Sequence, residues 1–244
     1  MSQEDVSGAY AIEIVGLWKS YGGRAVLKRL DISVDWGQIL VVFGANGSGK
    51  STLIKLLSTL STPTDGEIRV AGMAMKDNSR AIRRNIGVVM HQPLLYDNLT
   101  GRENLRFHGR MFSLDDLDKR IEIAAGLVGM AGFLDRRLGF LSHGLQKRLS
   151  MARAILHDPP ILLLDEPETG LDQEALGLLQ DLMVSSSGRQ RTVVMTTHSL
   201  ERGLAIGNRI AILAGGRIAY DEPRNVIDEV NVRAAYSKFT GANL

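Results

Sequence analysis

Short continuous apolar runs alternate along most of this chain with longer stretches that have helical spacing. Five runs have the length of buried strands: Ile39–Phe43, 88–90, 161–164, 192–195 and 210–213. Uninterrupted apolar runs of this kind are typical of a parallel sheet that is covered on both faces. The pattern therefore predicts an α/β core over residues 39–95 and 157–230.

The N-terminal part of the chain has a different pattern. Apolar residues alternate or cluster at 11–15, 32–34 and 67–70, and Gly22-Gly23 is a turn signal between the first two segments. Alternation around a glycine turn is typical of antiparallel strands. We therefore expect an antiparallel β subdomain, formed by residues 1–38 and 60–75.

A helical segment interrupts the core between residues 96 and 156. Thr100 and Glu103 form a capping-box pattern that opens a helix, and 115–126 and 145–156 have helical spacing. The fold class we predict is thus α/β, with a helical insertion at 96–156. The remaining residues, 231–244, form a C-terminal tail with no clear pattern.

A glycine-rich loop follows the first buried strand of the core. Residues 44–51 read GANGSGKS, which matches the phosphate-loop pattern G-x-x-x-x-G-K-[ST], and a plausible helix follows. Its glycines let backbone N–H groups curl around an anion, and the helix N-terminus adds positive potential. We expect Lys50 to reach the β- and γ-phosphates of a nucleotide and the Ser51 hydroxyl to ligate Mg²⁺.

Three more candidates follow two other buried strands. Asp165 and Glu166 end the run that begins at residue 161, and His198 ends the run that begins at residue 192. Because parallel strands place their carboxyl ends on one edge, these side chains should face the same crevice as Lys50. Asp165 is then placed to hold Mg²⁺, Glu166 to orient an attacking water, and His198 to hydrogen-bond a γ-phosphate. The alternative for His198 is a surface histidine that caps the next helix.

Composition narrows the class of protein. Hydrophobic residues make up 44% and charged residues 23% of the 244, which is ordinary for a globular protein and excludes disordered or collagen-like chains. A net charge of +2 is too balanced for nucleic-acid binding driven by bulk charge. There is no cysteine, so disulfides, thiolate metal sites and cysteine nucleophiles are excluded.

No apolar run approaches the ~20 residues of a membrane span, and the polar, acidic residues 1–8 are unlike a secretory signal. A cytoplasmic protein is expected.

With the phosphate loop, the Asp165-Glu166 pair and His198, the chain resembles the nucleotide-binding subunit of ABC transporters. The resemblance extends from about residue 11 to 227. Seven diagnostic segments stand in the family's order. They are Tyr21, which matches the aromatic residue that stacks on adenine; the phosphate loop, 44–52; Gln92, at the junction of core and helical insertion; the signature, 141–146; Asp165-Glu166; the D-loop, 170–172; and His198. The resemblance implies a P-loop NTPase core with ATP and Mg²⁺ bound.

The resemblance also implies a role for each site residue. Glu166, His198 and Lys50 would be catalytic, and Ser51, Gln92 and Asp165 would serve Mg²⁺. Nucleotide contacts would come from Tyr21, Gly44, Asn46, Gly47, Ser48, Gly49, Lys50, Ser51, Thr52, Gln92, Ser142 and Gly144. The signature departs from the family's L-S-G-G-Q, since His143 replaces a glycine and Leu145 the glutamine. Ser142 and Gly144 remain, and in the family they approach the γ-phosphate bound to a second copy.

Partners follow from the same resemblance. The resemblance implies a dimer that binds ATP between its two copies. It also implies a separate integral-membrane permease, so the protein is expected to be peripheral on the inner face of the cell membrane. The expected docking surface is the cleft beside Gln92, with Tyr96, Leu99 and the helix that begins near Thr100. Three arginines, 102, 106 and 110, recur along that helix. They are interpreted as a solvated face or as contacts for acidic residues or lipid headgroups.

Two longer stretches, 141–160 and 197–204, are similar to the ATPase of the haem exporter in cytochrome c maturation. ATPases of drug, polysaccharide and lipid exporters have similar sequences and remain alternatives for the cargo. Two other classes remain open. One is an ABC ATPase without a permease; the other is a non-catalytic module that binds ATP as an interaction switch.

Overall fold

The computed structural model describes residues 9–184, 188, 190–226 and 228–241. Residues 1–8, interpreted above from their polarity, lie outside this range. A six-stranded sheet forms the centre of the fold. From one edge to the other its strands are β10 (Arg217–Pro223), β9 (Arg209–Ala214), β3 (Ile39–Phe43), β8 (Thr192–Thr197), β7 (Ile161–Asp165) and β6 (Ile86–Val89).

All neighbours in this sheet are parallel except β9 and β10, which form an antiparallel pair at one edge. The sheet is therefore mixed, whereas the sequence predicted parallel strands alone. β3, β7 and β8 are buried along their whole length, as continuous apolar runs require. Their carboxyl ends lie side by side because Phe43 pairs with Thr197 and Asp165 with Thr196.

A second, antiparallel sheet has four strands in the order β2-β1-β4-β5. They are β1 (Ile12–Tyr21), β2 (Arg24–Val34), β4 (Asp65–Val70) and β5 (Met73–Ala74). β1 and β2 are longer than the alternation predicted. Register shifts after Ile14 in both of β1's pairings break the period-two pattern, because a bulge moves successive side chains to the other face.

Eight α-helices are present in the described residues. They are α1 (Lys50–Leu57), α2 (Met75–Asn85), α3 (Gly101–Met111), α4 (Leu117–Leu127), α5 (His143–Ile155), α6 (Gln173–Asp181), α7 (Leu200–Ile206) and α8 (Glu229–Thr240). The capping box at Thr100 is formed: its side chain accepts from Glu103 N, and the Glu103 carboxylate accepts from Thr100 N. These elements confirm the predicted fold class.

The two faces of the central sheet belong to different hydrophobic cores. The β-side core joins one face to α1, α2 and the antiparallel sheet. The helix-side core joins the other face to the helical insertion, α6, α7 and α8. The insertion thus shares its interior with the sheet that carries the candidate site.

The arginines of α3 do not form a free charged stripe. Arg102 lies 2.5 Å from Glu122 and 2.8 Å from Asp135, and Arg106 lies 2.8 Å from Asp118. The two ion-pair networks tie α3 to α4 and to the loop before the signature. Arg102 and Arg106 thus contact acidic residues of this chain while their side chains stay partly exposed, and their contacts with a partner or with lipid headgroups stay a prediction.

Candidate nucleotide-binding site

The phosphate loop lies between the end of β3 and the start of α1, at the edge where the parallel strands end. Gly49 precedes α1 with a φ of +110°, and a Cβ atom there would lie 2.7 Å from Leu27 Cδ2. Only glycine is compatible with both restrictions. The buried Ser48 hydroxyl has no hydrogen-bond partner among the described residues. Such an orphaned polar group within the loop fits a site for an anion.

Lys50 is buried beneath this loop, with 5% of its surface exposed. Its Nζ donates to the carbonyl oxygens of Gly44 at 2.7 Å and Ala45 at 3.3 Å. It also lies 3.7 Å from Glu166 Oε1. The loop therefore encloses a fixed positive charge, while Thr52 lies half-buried in the first turn of α1.

Asp165 ends β7 and faces the first turn of α1. Its Oδ1 accepts from Ser51 Oγ at 3.1 Å and from Thr196 Oγ1 at 2.8 Å. Mg²⁺ is typically held by one or two carboxylates plus water and substrate phosphates. The paired Ser51 and Asp165 oxygens fit that donor set. In the part of the chain that the structure describes, no cluster of three or more His, Asp or Glu side chains forms a closed metal site.

Glu166 stands between two cationic or potentially cationic groups. Its Oε1 faces Lys50, and its Oε2 lies 3.5 Å from His198 Nδ1. Its φ of +45° is left-handed, a conformation that costs energy for a non-glycine residue and is often found at functional sites. The Glu166 N–H donates to Thr196 O at 3.1 Å and to Thr196 Oγ1 at 3.2 Å. The structure thus brings Lys50, Ser51, Asp165, Glu166 and His198 together, as the sequence predicted.

Two residues that the sequence analysis missed support this turn. Lys147 of α5 is 1% exposed, and its Nζ donates to Met90 O at 3.0 Å and Glu166 O at 3.4 Å. Burial lowers the pKa of Lys147, although nearby carboxylates favour the charged form. Glu168 is also buried and accepts from Thr197 Oγ1, which in turn accepts from Ser199 N at 2.9 Å. These contacts fix the turns that carry Glu166 and His198.

Two predicted site residues lie apart from this cluster. Gln92 follows β6 and is exposed, and no hydrogen bond joins it to any residue that the structure describes. Tyr21 ends β1 and is 49% exposed, with Lys19 Nζ 4.7 Å from its ring centroid. Mg²⁺ sensing by Gln92 and base stacking by Tyr21 therefore stay predictions.

The signature residues begin α5. Ser142 caps this helix by accepting from Leu145 N at 3.4 Å, and the His143 ring lies against Gly170 of the D-loop. Arg148 binds Asp172 of the D-loop at 2.8 Å. No hydrogen bond within the described ranges connects Ser142 or Gly144 to the phosphate loop. Ser142 is exposed and Gly144 is partly exposed, which leaves both available to a second molecule.

A cavity of about 710 Å³, here called the nucleotide cavity, opens beside the phosphate loop. The start of β2, loop residues 45–48, the β9–β10 turn and the end of α8 form its walls. A Cβ at Gly216, whose φ is +83°, would lie 2.5 Å from Val26 O. Glycine thus permits the close approach of the β9–β10 turn to β2 that shapes this cavity.

A second cavity of about 410 Å³, here called the arginine cleft, lies between α2, α3 and α5. Its lining includes Arg80, Arg83, Arg84, Arg153, His108, His157, Leu94, Met111 and Phe112. The Phe112 and His157 rings stack at 4.3 Å between centroids, and the His108 and His157 rings lie 6.0 Å apart. Burial lowers the pKa of His108 to about 3 and that of His157 to about 4, and Arg153 contributes to both shifts.

These two histidines predict acid-sensitive stability. Both are neutral in the folded chain at pH 5, whereas in the unfolded chain they titrate near pH 6.5. The unfolded state therefore gains protons first, and the free energy of unfolding should fall from about pH 6.5 towards pH 4. The slope is at most ~1.4 kcal/mol per pH unit for each histidine.

The unfolding temperature, measured from pH 7.5 to 5, should depend less on pH in a His108→Gln/His157→Gln variant. The exposed His91→Gln change is the control; an equal slope in all three proteins would contradict the prediction.

In the described part of the chain, no helix is long and apolar enough to cross a membrane. Among solved structures, an ATP-binding subunit of an ABC transporter superposes with a TM-score of 0.82, at 26% identity, and 96% of this chain and 95% of that chain are covered. A dimeric, post-hydrolysis structure of the ATP-binding cassette MJ0796 bound to ADP and Pi has a TM-score of 0.78, at 28% identity, covering 87% and 98% of the two chains.

Curated relatives include the Nod factor export ATP-binding protein I of Rhizobium meliloti, which is 36% identical over 222 residues. That alignment covers 90% of this chain and 66% of the relative. The Mesorhizobium japonicum protein of the same name is 35% identical over 231 residues, which is 93% of this chain and 68% of the relative. The chain thus spans about two thirds of the length of these relatives.

The ABC transporter family model matches residues 27–169. Together with the fold and the site, this match shows that the chain belongs to the ABC transporter family.

Proposed function

We propose that this chain is a Mg²⁺-dependent ATPase that powers a separate membrane permease. The observation that carries the proposal is the cluster of Glu166 with Lys50 on one side and His198 on the other. Phosphoryl transfer requires mainly positioning and neutralisation of charge. The Glu166 carboxylate, held between Lys50 and His198 at the mouth of the phosphate loop, can position the attacking water. Lys50 and His198 can neutralise the phosphate charge.

Each residue has a distinct task in this proposal. Lys50 neutralises β- and γ-phosphate charge, and Glu166 accepts hydrogen bonds from the attacking water and orients it towards the γ-phosphorus. His198, at the edge of the cluster, donates to a γ-phosphate oxygen. Ser51 and Asp165 hold Mg²⁺, which when bound neutralises charge that develops on the phosphates. Because the Glu166 backbone is fixed through Thr196 and Lys147, little reorganisation is required when a nucleotide binds.

The signature residues act in a second copy. Ser142 is exposed and Gly144 is partly exposed, and neither reaches the phosphate loop of its own chain. In a dimer, each copy would present these two residues to the γ-phosphate bound by the other copy. The Arg148–Asp172 ion pair ties the signature helix to the D-loop. We infer an ATP-dependent dimer that closes on binding and opens after hydrolysis. The MJ0796 cassette, a dimer with ADP and Pi, supports this inference.

The permease is proposed to dock at the arginine cleft. This cleft lies beside the segment after Gln92, where the sequence predicts the docking surface. Arg80 and Arg84 are exposed on α2, while Leu94 and Met111 are exposed apolar residues on the same cleft. An amphipathic cytoplasmic segment with acidic side chains complements this lining. Such docking would hold the chain at the inner face of the cell membrane.

The cargo is proposed to be exported. The relatives named for Nod factor export, at 34–36% identity over about nine tenths of this chain, support an exporter. Haem export rests on the similarity of two segments, 141–160 and 197–204, and is the second candidate. Drug, polysaccharide or lipid cargo remains compatible with the same ATPase.

Affinity purification tests both the permease and its docking surface. A Glu166→Gln bait with ATP and Mg²⁺ should recover a multispanning protein from detergent-solubilised membranes. Adding Arg80→Glu and Arg84→Glu should reduce that recovery about tenfold or more, because two attractive charges become repulsive at the interface. The matched control adds Arg69→Glu and Arg217→Glu, which change the net charge equally at exposed sites elsewhere.

The recovered partner distinguishes the alternatives. Haem or cytochrome-maturation proteins with the bait would favour haem export, and a partner of another exporter class would favour different cargo. Recovery of soluble proteins alone would contradict the permease and favour an ABC ATPase without one. Equal loss in the two arginine variants would contradict the docking surface only.

A further inference from the structure

One wall of the nucleotide cavity comes from the C-terminal helix. Phe239 and Thr240, at the end of α8, face a lining that also contains loop residues Ala45–Ser48. The sequence pattern predicted no function for this part of the chain. An aromatic residue of α8 thus lies next to the phosphate loop.

Helix α8 is fixed to the strand that leads into the phosphate loop. Val232 and Tyr236 are buried in the helix-side core, and the Tyr236 ring meets Phe43 edge-on at 6.3 Å between centroids. Phe43 directly precedes Gly44, the first residue of the loop. Phe239 follows Tyr236 by three residues, which is nearly one helical turn. Its position at the cavity is therefore determined by a packed contact next to the loop.

The lining of the cavity matches the two ends of a nucleotide. The exposed Arg24 and half-buried Lys28 bring positive charge, and the loop backbone at 45–48 brings N–H groups. Val26 and the Phe239 ring bring apolar surface. Cations and amides bind phosphates, whereas aliphatic and aromatic surface packs against a purine and its ribose.

Phe239 is accessible for such a contact. Its surface is 36% exposed, and the neighbouring Lys238 Nζ lies 5.3 Å from the ring centroid. Tyr21, the aromatic residue predicted to stack on adenine, is absent from the described lining of the cavity. The aromatic ring that the structure places at the cavity is thus on α8.

We propose that Phe239 packs against the nucleoside of the bound nucleotide, so that helix α8 is part of the nucleotide site. The inference rests on the proposed function, because it requires a nucleotide in the phosphate loop. Phe239 would contribute to affinity for the nucleoside and not to the triphosphate alone. Helix α8 would then connect nucleotide occupancy to the C-terminal end of the chain.

Calorimetric titration with ATP and with inorganic tripolyphosphate tests this inference. Phe239→Ala should weaken ATP binding about fivefold to tenfold, the lower part of the range for loss of an aromatic stacking contact. Tripolyphosphate affinity should stay within twofold of that of the unaltered chain. Phe239→Leu, which keeps an apolar side chain, should lose part of the ATP affinity. Val230→Ala, at an exposed position of the same helix, should change neither ligand.

The possible failures are distinct. Unchanged ATP affinity in Phe239→Ala would overturn the inference and leave the proposed function intact. Equal weakening of ATP and tripolyphosphate would also overturn it, because α8 would then act on the loop and not on the nucleoside. Failure of ATP to bind the unaltered chain would contradict the proposed function and the inference together. Thermal unfolding of each variant excludes loss of the fold as the cause.

Discussion

Glu166→Gln should abolish ATP turnover while ATP still binds and holds two copies in a closed dimer. The amide keeps the size of the side chain but cannot accept the proton of the attacking water. It also removes the charge 3.7 Å from Lys50 and 3.5 Å from His198. We expect hydrolysis to fall by about 100-fold or more, the range for loss of a positioned general base. Phosphate release measures turnover, and light scattering with ATP and Mg²⁺ measures the dimer.

The control for this variant is Glu67→Gln, which makes the same chemical change at an exposed position of β4. Near-normal hydrolysis in Glu166→Gln would show that another group orients the water. Loss of hydrolysis together with loss of ATP binding would instead indicate that the carboxylate supports the loop through Lys50.

Lys50→Ala should weaken nucleotide binding itself, by about tenfold or more, because charge-assisted hydrogen bonds are worth roughly 1.5–3 kcal/mol. The ammonium is buried beneath the loop and donates to Gly44 O and Ala45 O. Its removal therefore takes away the main cation for the phosphates and two contacts that shape the loop. Titration with ATP measures the change in affinity.

Lys55→Ala is the matched control, since Lys55 lies on the same helix and is exposed. Thermal unfolding separates a local loss of affinity from a loss of stability. Unchanged ATP affinity in Lys50→Ala, with Lys55→Ala also unchanged, would contradict the assignment of the phosphate loop.

The parts of the fold predicted from the sequence are those with dense local signals. β3, β7 and β8 are apolar throughout, and a glycine-rich loop follows β3. Parallel pairing then brings the strand ends to one edge. Asp165, Glu166 and His198 could be placed in one crevice because they stand at the ends of β7 and β8. Lys50 could be placed there because the glycine-rich loop connects it to the end of β3.

Three helices, α2, α6 and α8, were missed because their buried positions are sparse. Each of them buries only two residues. Two apolar positions do not establish a helical period. All three helices are stabilised by the central sheet and its cores, and this tertiary contribution has no local signature in the sequence.

The missed site residues depend on tertiary contacts in the same way. Lys147 lies in a polar part of a helical pattern and would normally be solvent-exposed, but α5 packs against β6 and buries it. The acidic partners of Arg102 and Arg106 lie 12 to 33 positions away on other elements. A regular charge spacing alone therefore could not distinguish a free face from a set of surface ion pairs within the chain.

The two cores on opposite faces of the central sheet allow the halves of the molecule to diverge separately. In β3, Leu40 and Val42 belong to the β-side core, whereas Val41 and Phe43 belong to the helix-side core. Consecutive residues of one strand thus face different packing environments. Substitutions that adapt the helical insertion to a different partner can be accommodated on one face without repacking the other. Only the strand backbone, which carries the phosphate loop, is shared by both cores.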